Sequence, residues 1–297
     1  MEHEMVMRDS RERLTVETAD GCKLSVRCEG RGKQRSLVLV HGFGENNYSW
    51  GDIPDRITAT HSVFAVDVRG HGDSSWDPHG EYNLEKFVSD LTVVVDRLAI
   101  GPFALAGHSL GADIALQVAV LRPRQVTKLI LVEFGLGEVP ADVLEFALEQ
   151  FNAQFRAYDS ILDYFSFLER QRPLADRAAL RRYCENSVRP RPGGDYEVKC
   201  DPALRRLWEK RERTLLPAHR KAISGLACPL LLLRGSGSAL LTSAATRQIN
   251  ELAPQAQLRQ VSGAGHAVML DNPKEFNEAV CRFLLDEYAR RPLHARV

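Results

Sequence analysis

Hydrophobic and polar positions fall into two kinds of run along this chain. Arg13–Thr18 and Lys23–Cys28 alternate, with Asp20-Gly21 between them, which predicts a β-hairpin with one face buried. Ser36–Val40, Val63–Asp67, the stretch from Phe103 to Gly107, Lys128–Glu133 and Leu230–Leu233 are continuous apolar runs, the pattern of strands buried on both faces. Gln257–Val261 reads as a further strand. Between these runs the period changes to that of a helix. Leu84, Phe87, Leu91, Val94, Val95 and Leu98 form one stripe, and Ile114, Val118 and Leu121 form another. Ser243–Leu252 reads as helical, a helix is expected to start near Ser49, and a last one begins at Pro273 and runs to about Ala289. Strands alternating with helices predict an α/β fold: a mostly parallel eight-stranded sheet with helices on both faces.

The alternation stops between Glu138 and about His219. Ala141–Tyr158 and Ile161–Gln171 read as helices there, and Arg189–Gly194 as a loop. Residues 138–220 are therefore expected to be a helical cap inserted into a core made of residues 1–137 and 221–297. A chain of 297 residues, 44% hydrophobic, is long enough for one large core with such an insertion.

Charge adds only exclusions. Lys plus Arg and Asp plus Glu both number 39, so nothing suggests a nucleic-acid or membrane partner. The first residues lack the apolar run of a signal peptide, and no stretch approaches membrane-span length. The six cysteines show no metal-type spacing. A cytoplasmic enzyme with reduced thiols is expected, although Cys22 and Cys28 could pair across the hairpin. No metal or cofactor motif is present, which leaves a small-molecule substrate as the expected partner; oligomeric state is not legible.

The chemistry concentrates in Gly107-His108-Ser109-Leu110-Gly111, which lies between an apolar run and a helical stretch. A sharp strand-to-helix turn would lift the serine hydroxyl clear of the sheet, and the following helix would aim its N-terminus at a developing anion. The stretch resembles the nucleophile elbow of the α/β-hydrolase superfamily, and the resemblance extends over nearly the whole chain. It implies Ser109 as nucleophile. Ser262-Gly-Ala-Gly-His266, placed after the last strand with Pro273 beyond it, resembles the superfamily's loop for the catalytic base, which implies His266. His41-Gly-Phe-Gly44 resembles its oxyanion loop, which implies backbone N–H donors from Phe43 and Leu110. His41 and His71 are then organisers of loops. Trp76, Phe134 and His108 are candidate walls of the substrate pocket, together with Phe43 and the cap aromatics Phe155, Tyr158, Tyr164 and Phe165.

One position departs from the pattern. Related chains place the acid after the seventh strand, where this chain has Ala239, and from Arg213 to Asn250 there is no Asp or Glu. Three readings stay open. Glu133, at the end of the sixth strand, supplies the acid, as in some superfamily members. Alternatively, water or a serine such as Ser238 supports a Ser–His dyad. Or Ala239 is a replacement made to trap a ligand. A serine rather than an aspartate at the nucleophile argues against alkyl-ester chemistry on halides or epoxides. The expected activity is hydrolysis of a carboxylic ester, thioester or lactone through an acyl-enzyme. The alternatives are a ligand-binding or cyclising protein with an incomplete triad, and a cofactor-free C–C hydrolase or perhydrolase.

Overall fold

The computed structural model describes residues 11–136, 141–209 and 215–286. The alternating runs form the hairpin β1 (Arg11–Glu17) and β2 (Lys23–Glu29), joined through a turn closed by the Thr18 N–H on the Cys22 carbonyl at 2.9 Å. The apolar runs become β3 (Arg35–Val40), β4 (His61–Val66), β5 (Phe103–His108) and β6 (Val126–Val132). Helix α1 (Ile53–Ile57) follows β3, α2 (Leu84–Arg97) follows β4 and α3 (Leu110–Leu121) follows β5. The helix expected near Ser49 is thus a single short turn, begun at the proline of Ile53-Pro54.

Three helices come next: α4 (Ala141–Ala153), α5 (Ile161–Gln171) and α6 (Arg177–Ser187). They lead into a small antiparallel pair, β7 (Val188–Pro190) and β8 (Tyr196–Val198). The Arg189–Gly194 segment read above as a loop therefore begins as strand: Arg189 and Pro190 pair with Glu197 and Tyr196, and the four residues beyond them form the turn. Its proline sits on a two-stranded edge, where a missing N–H is tolerated. After α7 (Arg206–Glu209) comes α8 (Leu215–Ser224), which the boundary drawn at 220 divides; α8 packs on α3 and on α9 (Ser243–Leu252). Strands β9 (Leu230–Gly235) and β10 (Gln257–Val261) return to the main sheet, and α10 (Val268–Asp271) and α11 (Pro273–Leu285) end the described chain.

The main sheet has eight strands in the order β1-β2-β4-β3-β5-β6-β9-β10. Strand β2 is antiparallel to both β1 and β4, and every pairing from β4 to β10 is parallel. Period-two alternation splits the strand residues between two cores. Val38, Leu105, Leu129 and Leu232 face α2 and α3, whereas Leu39, Ile130, Val132 and Leu233 face α1 and α11 through Trp50, Ile53, Phe276 and Phe283. Each such side chain contributes roughly 1.5–3 kcal/mol by leaving water. In α3 the expected stripe holds for Ile114 and Val118, but Leu121 is exposed at the helix end. Lys128, buried in β6, donates from Nζ to the carbonyls of Phe283, Leu284 and Asp286, and so neutralises the C-terminal end of α11.

All six cysteines are free. Cys22 and Cys28 do not face each other across the hairpin: Cys28 pairs with Glu12 of β1, and Cys22 directly precedes β2 itself. Among the described residues, no helix is long and apolar enough to cross a membrane.

The segment from α4 to α7 packs against loops at the carboxyl ends of the parallel strands. Asn46 Nδ2 donates to Ser187 Oγ at 2.8 Å, the Tyr82 hydroxyl bonds Asp201, and Phe43 meets Phe151 with ring centroids 4.4 Å apart. Loops at this end of an open parallel sheet are where ligands bind in such folds. A separate cleft of about 550 Å³, lined by Gln34, Arg35, His61, Pro102, Arg124 and Cys228, opens at the opposite, amino-terminal end of the same strands.

Candidate active site

Ser109 joins β5 to α3 with φ 52° and ψ −115°, a conformation that costs a non-glycine residue on the order of 1–3 kcal/mol. It occupies the helix N-cap, yet its hydroxyl makes no capping hydrogen bond, so it is not simply a turn serine. The strain is held by tight packing on both sides. A Cβ on Gly107 would lie 2.1 Å from the Gly111 carbonyl oxygen, and one on Gly111 would lie 2.1 Å from the Val40 oxygen. The Ser109 N–H reaches the Val132 carbonyl at 2.9 Å, which ties the turn to the end of β6.

The next residue along β6 is Glu133. It too has a left-handed backbone, with φ 55°. Its N–H bonds the Leu233 carbonyl at 2.9 Å, which extends the sheet beyond the strand end, and its side chain is wholly buried. Oε2 lies 3.1 Å from His266 Nδ1, Oε1 accepts the Gly235 N–H at 2.7 Å, and the Ser238 hydroxyl donates to Oε2. A neutral ring in this contact holds its proton on Nδ1, which leaves a lone pair on Nε2. Glu133 touches His266, while Ser238 touches Glu133 instead of the imidazole. Ala239 lies in the adjoining loop, one residue on from Ser238.

The loop that carries His266 is fixed from three sides. Asp271 Oδ2 accepts the Gly265 N–H at 2.8 Å, the Gly237 N–H reaches the Ala264 carbonyl at 2.8 Å, and His108 Nε2 lies 2.9 Å from the His266 carbonyl. His108 is therefore beneath His266 instead of in a pocket wall: it is 1% exposed, and its Nδ1 lies 3.0 Å from Glu45 Oε2. Both ring nitrogens face acceptors, which calls for a proton on each. Burial opposes the charged ring, but the Glu45 carboxylate outweighs it and raises the His108 pKa. Burial likewise opposes the Glu45 charge, and the His108 charge and hydrogen bond, with Arg172 beyond, hold that carboxyl well below its usual range.

Glu45 was not singled out from the sequence, although it anchors the loop that carries Phe43. Its Oε2 also accepts the Gly42 N–H at 3.0 Å. Two neutral imidazoles complete the support. His41 Nε2 accepts the Val68 N–H at 2.9 Å, and His71 Nε2 accepts the Gly44 N–H at 3.0 Å. Burial pushes these rings down to about 4 and about 3, so both stay uncharged and able to accept. Phe43 is thereby held between two anchored glycines. Leu110 opens α3 and has no carbonyl one turn back for its N–H.

The remaining wall candidates divide. Phe134 is buried at the end of β6, with its ring 5.6 Å from that of His219. Trp76 lies beside the β7–β8 pair, where the Arg189 guanidinium sits 4.8 Å from its ring centroid. Phe155 packs on Phe151, which continues from Phe43. Tyr158, Tyr164 and Phe165 are not walls. They are 0%, 2% and 5% exposed, belong to the main hydrophobic core, and Tyr158 and Tyr164 pack edge to face at 5.0 Å.

An eight-stranded sheet with a strained serine after its fifth strand and a carboxylate–histidine pair at its carboxyl edge defines a class. The family model for the alpha/beta hydrolase fold matches residues 35–273, and the chain belongs to that family. Among individual relatives it is 26% identical over 261 residues to the 2-(acetamidomethylene)succinate hydrolase of Mesorhizobium japonicum, covering 88% of this chain and 91% of that one. It is also 26% identical over 269 residues to the esterase Rv0045c of Mycobacterium tuberculosis, covering 86% and 84%. A crystal structure of E-2-(acetamidomethylene)succinate hydrolase superposes with a TM-score of 0.81 at 25% identity, over 92% of this chain and 99% of that one.

Proposed function

We propose that this chain is a serine hydrolase that cleaves a carboxylic ester, thioester or lactone of a moderately apolar small molecule through an acyl-enzyme on Ser109. The carrying observation is the 3.1 Å contact between His266 Nδ1 and the buried Glu133 carboxylate. In this reading His266 takes the Ser109 proton at Nε2 as the hydroxyl attacks. Glu133 holds the tautomer and stabilises the imidazolium, and the N–H groups of Phe43 and Leu110 stabilise the oxyanion. The leaving group then departs with the proton from His266, and water repeats the sequence to release the acid. No cofactor takes part. The residues inserted over the strand ends act as a lid, and Phe43, Phe151 and Phe155 form the apolar side of the entrance.

The contact of the Glu133 carboxylate with His266 supports this reading over a binding scaffold with an incomplete triad. The test is labelling by a fluorophosphonate probe, followed by hydrolysis of a panel: p-nitrophenyl acetate and longer acyl esters, an acyl thioester, a lactone, and 2-(acetamidomethylene)succinate, taken from the name of a relative. Labelling that maps to Ser109 and is absent in Ser109→Ala is the expected result. A wild-type protein that does not label refutes the reading.

A further inference from the structure

The loop after β9, which carries Ala239 where related chains carry their acid, still serves the acid. We propose that Ser238 is a positioning residue whose hydroxyl, together with the Gly235 N–H, holds the Glu133 carboxylate on His266 Nδ1. The inference rests on the triad reading above and adds to it the element that keeps the relocated acid in place.

The geometry commits the serine. Ser238 is buried, and its Oγ accepts the Leu241 N–H at 3.0 Å. A hydroxyl has one proton, and with a lone pair engaged by Leu241 that proton is free to point at Glu133 Oε2. Oε2 is also the oxygen that faces His266. Gly235 N–H takes the other oxygen at 2.7 Å, so both oxygens are fixed and the carboxylate plane has no freedom to turn away. Such restraint is needed here. The acid leaves a backbone with left-handed φ at a strand end, and it reaches the imidazole through a side chain one methylene longer than aspartate. That extra torsion would let an unclamped carboxylate swing, whereas donors of charge-assisted strength suppress it. The clamp is tied to the His266 loop as well. Ser236 N–H bonds the Val261 carbonyl at 2.9 Å, and Ser236 Oγ accepts the Gly263 N–H at 3.0 Å, so the donor loop and the His266 loop form one unit.

The test is a double-mutant cycle on purified full-length protein, read by kcat and KM for p-nitrophenyl acetate and by the rate of fluorophosphonate labelling. Ser238→Ala should lower kcat about 10- to 100-fold, the range that outer-shell hydrogen-bond partners carry at metal-bound histidines, and leave KM within about twofold. Ser238→Thr keeps the hydroxyl and should restore kcat to within about threefold. In a Glu133→Gln background, Ser238→Ala should cost nothing further, because there is no carboxylate left to position. Should the alanine variant fail to fold, Ser238→Cys, which keeps a weak donor of similar length, takes its place in the same cycle. If Glu133→Gln is costly but Ser238→Ala is silent, or costs the same factor in both backgrounds, the role of Ser238 is overturned and the triad stands. If Glu133→Gln retains the wild-type rate, or the wild type is inert to both probes, the triad reading falls and this inference falls with it.

Discussion

Replacing Glu133 by glutamine changes one atom and reverses the hydrogen-bond sense of half the group. Three donors converge on the carboxylate: Gly235 N–H on Oε1, and the Ser238 hydroxyl and His266 Nδ1–H on Oε2. A glutamine presents one acceptor oxygen and one NH₂ donor. The Gly235 N–H belongs to the backbone and cannot turn, so it claims the amide oxygen. The NH₂ then faces Ser238 and His266. The hydroxyl can rotate to accept, and the imidazole can accept only by moving its proton to Nε2. That tautomer cannot take a proton from Ser109. The same swap in another triad enzyme cost about 10⁴ in kcat, which at about 1.36 kcal/mol per decade is roughly 5 kcal/mol of transition-state stabilisation. The expected result for Glu133→Gln is therefore a loss of about 10⁴-fold in p-nitrophenyl acetate turnover and a matching slowing of fluorophosphonate labelling. Circular dichroism should show an intact fold, and ¹⁵N shifts of His266 should report the Nε2–H form. A variant within about threefold of wild type, or one with the Nδ1–H tautomer retained, would refute the argument.

Ala239→Asp should leave the rate unchanged or lower it, since a second carboxylate near the same imidazole repels the first; a strong gain would mean that Glu133 does not do this work. Gly111→Ala should cost about 3 kcal/mol or abolish folding, because its Cβ would meet the Val40 oxygen at 2.1 Å; a melting temperature equal to wild type would contradict the packing of the elbow. Limited proteolysis should cut first in the exposed hairpin turn at residues 191–194, and a tightly bound product analogue should slow the cut; cleavage unaffected by such a ligand would disconnect the cap from the site. The His108–Glu45 pair gives a pH signature. The raised His108 contributes stability that is full below its unfolded pKa, about 6.5, and is lost as pH rises through the folded value. The depressed Glu45 contributes stability that is present above its unfolded pKa and lost as pH falls through the folded one. His108→Gln should therefore show a flatter urea midpoint than wild type as pH rises above about 6.5, and equal slopes would remove the charged-pair assignment.

The continuous apolar runs and the helical stripes between them were sufficient to predict a parallel sheet layered by helices, because a strand buried on both faces needs nothing more local than its own composition. The elbow was equally legible. Gly107, Ser109 and Gly111 must be contiguous for strand and helix to approach so closely, and Ser262–His266 stands beside its strand for the same reason. Less of the cap could be read. Helix α6 buries only a short stripe of Ala179, Leu180, Tyr183 and Cys184 set among arginines, and the β7–β8 pairing depends on Tyr196 and Glu197 returning across a turn, which local period does not report. The partners of the site lay furthest from view. Glu45 and His108 are 63 residues apart, and Glu133 and His266 are 133 apart. A carboxylate at a strand end reads the same in sequence whether it caps a loop or holds an imidazole. The choice is made by the crossover connections, which set β6 between β5 and β9 and so bring the Glu133 oxygens between the Gly235 N–H, the Ser238 hydroxyl and the His266 ring.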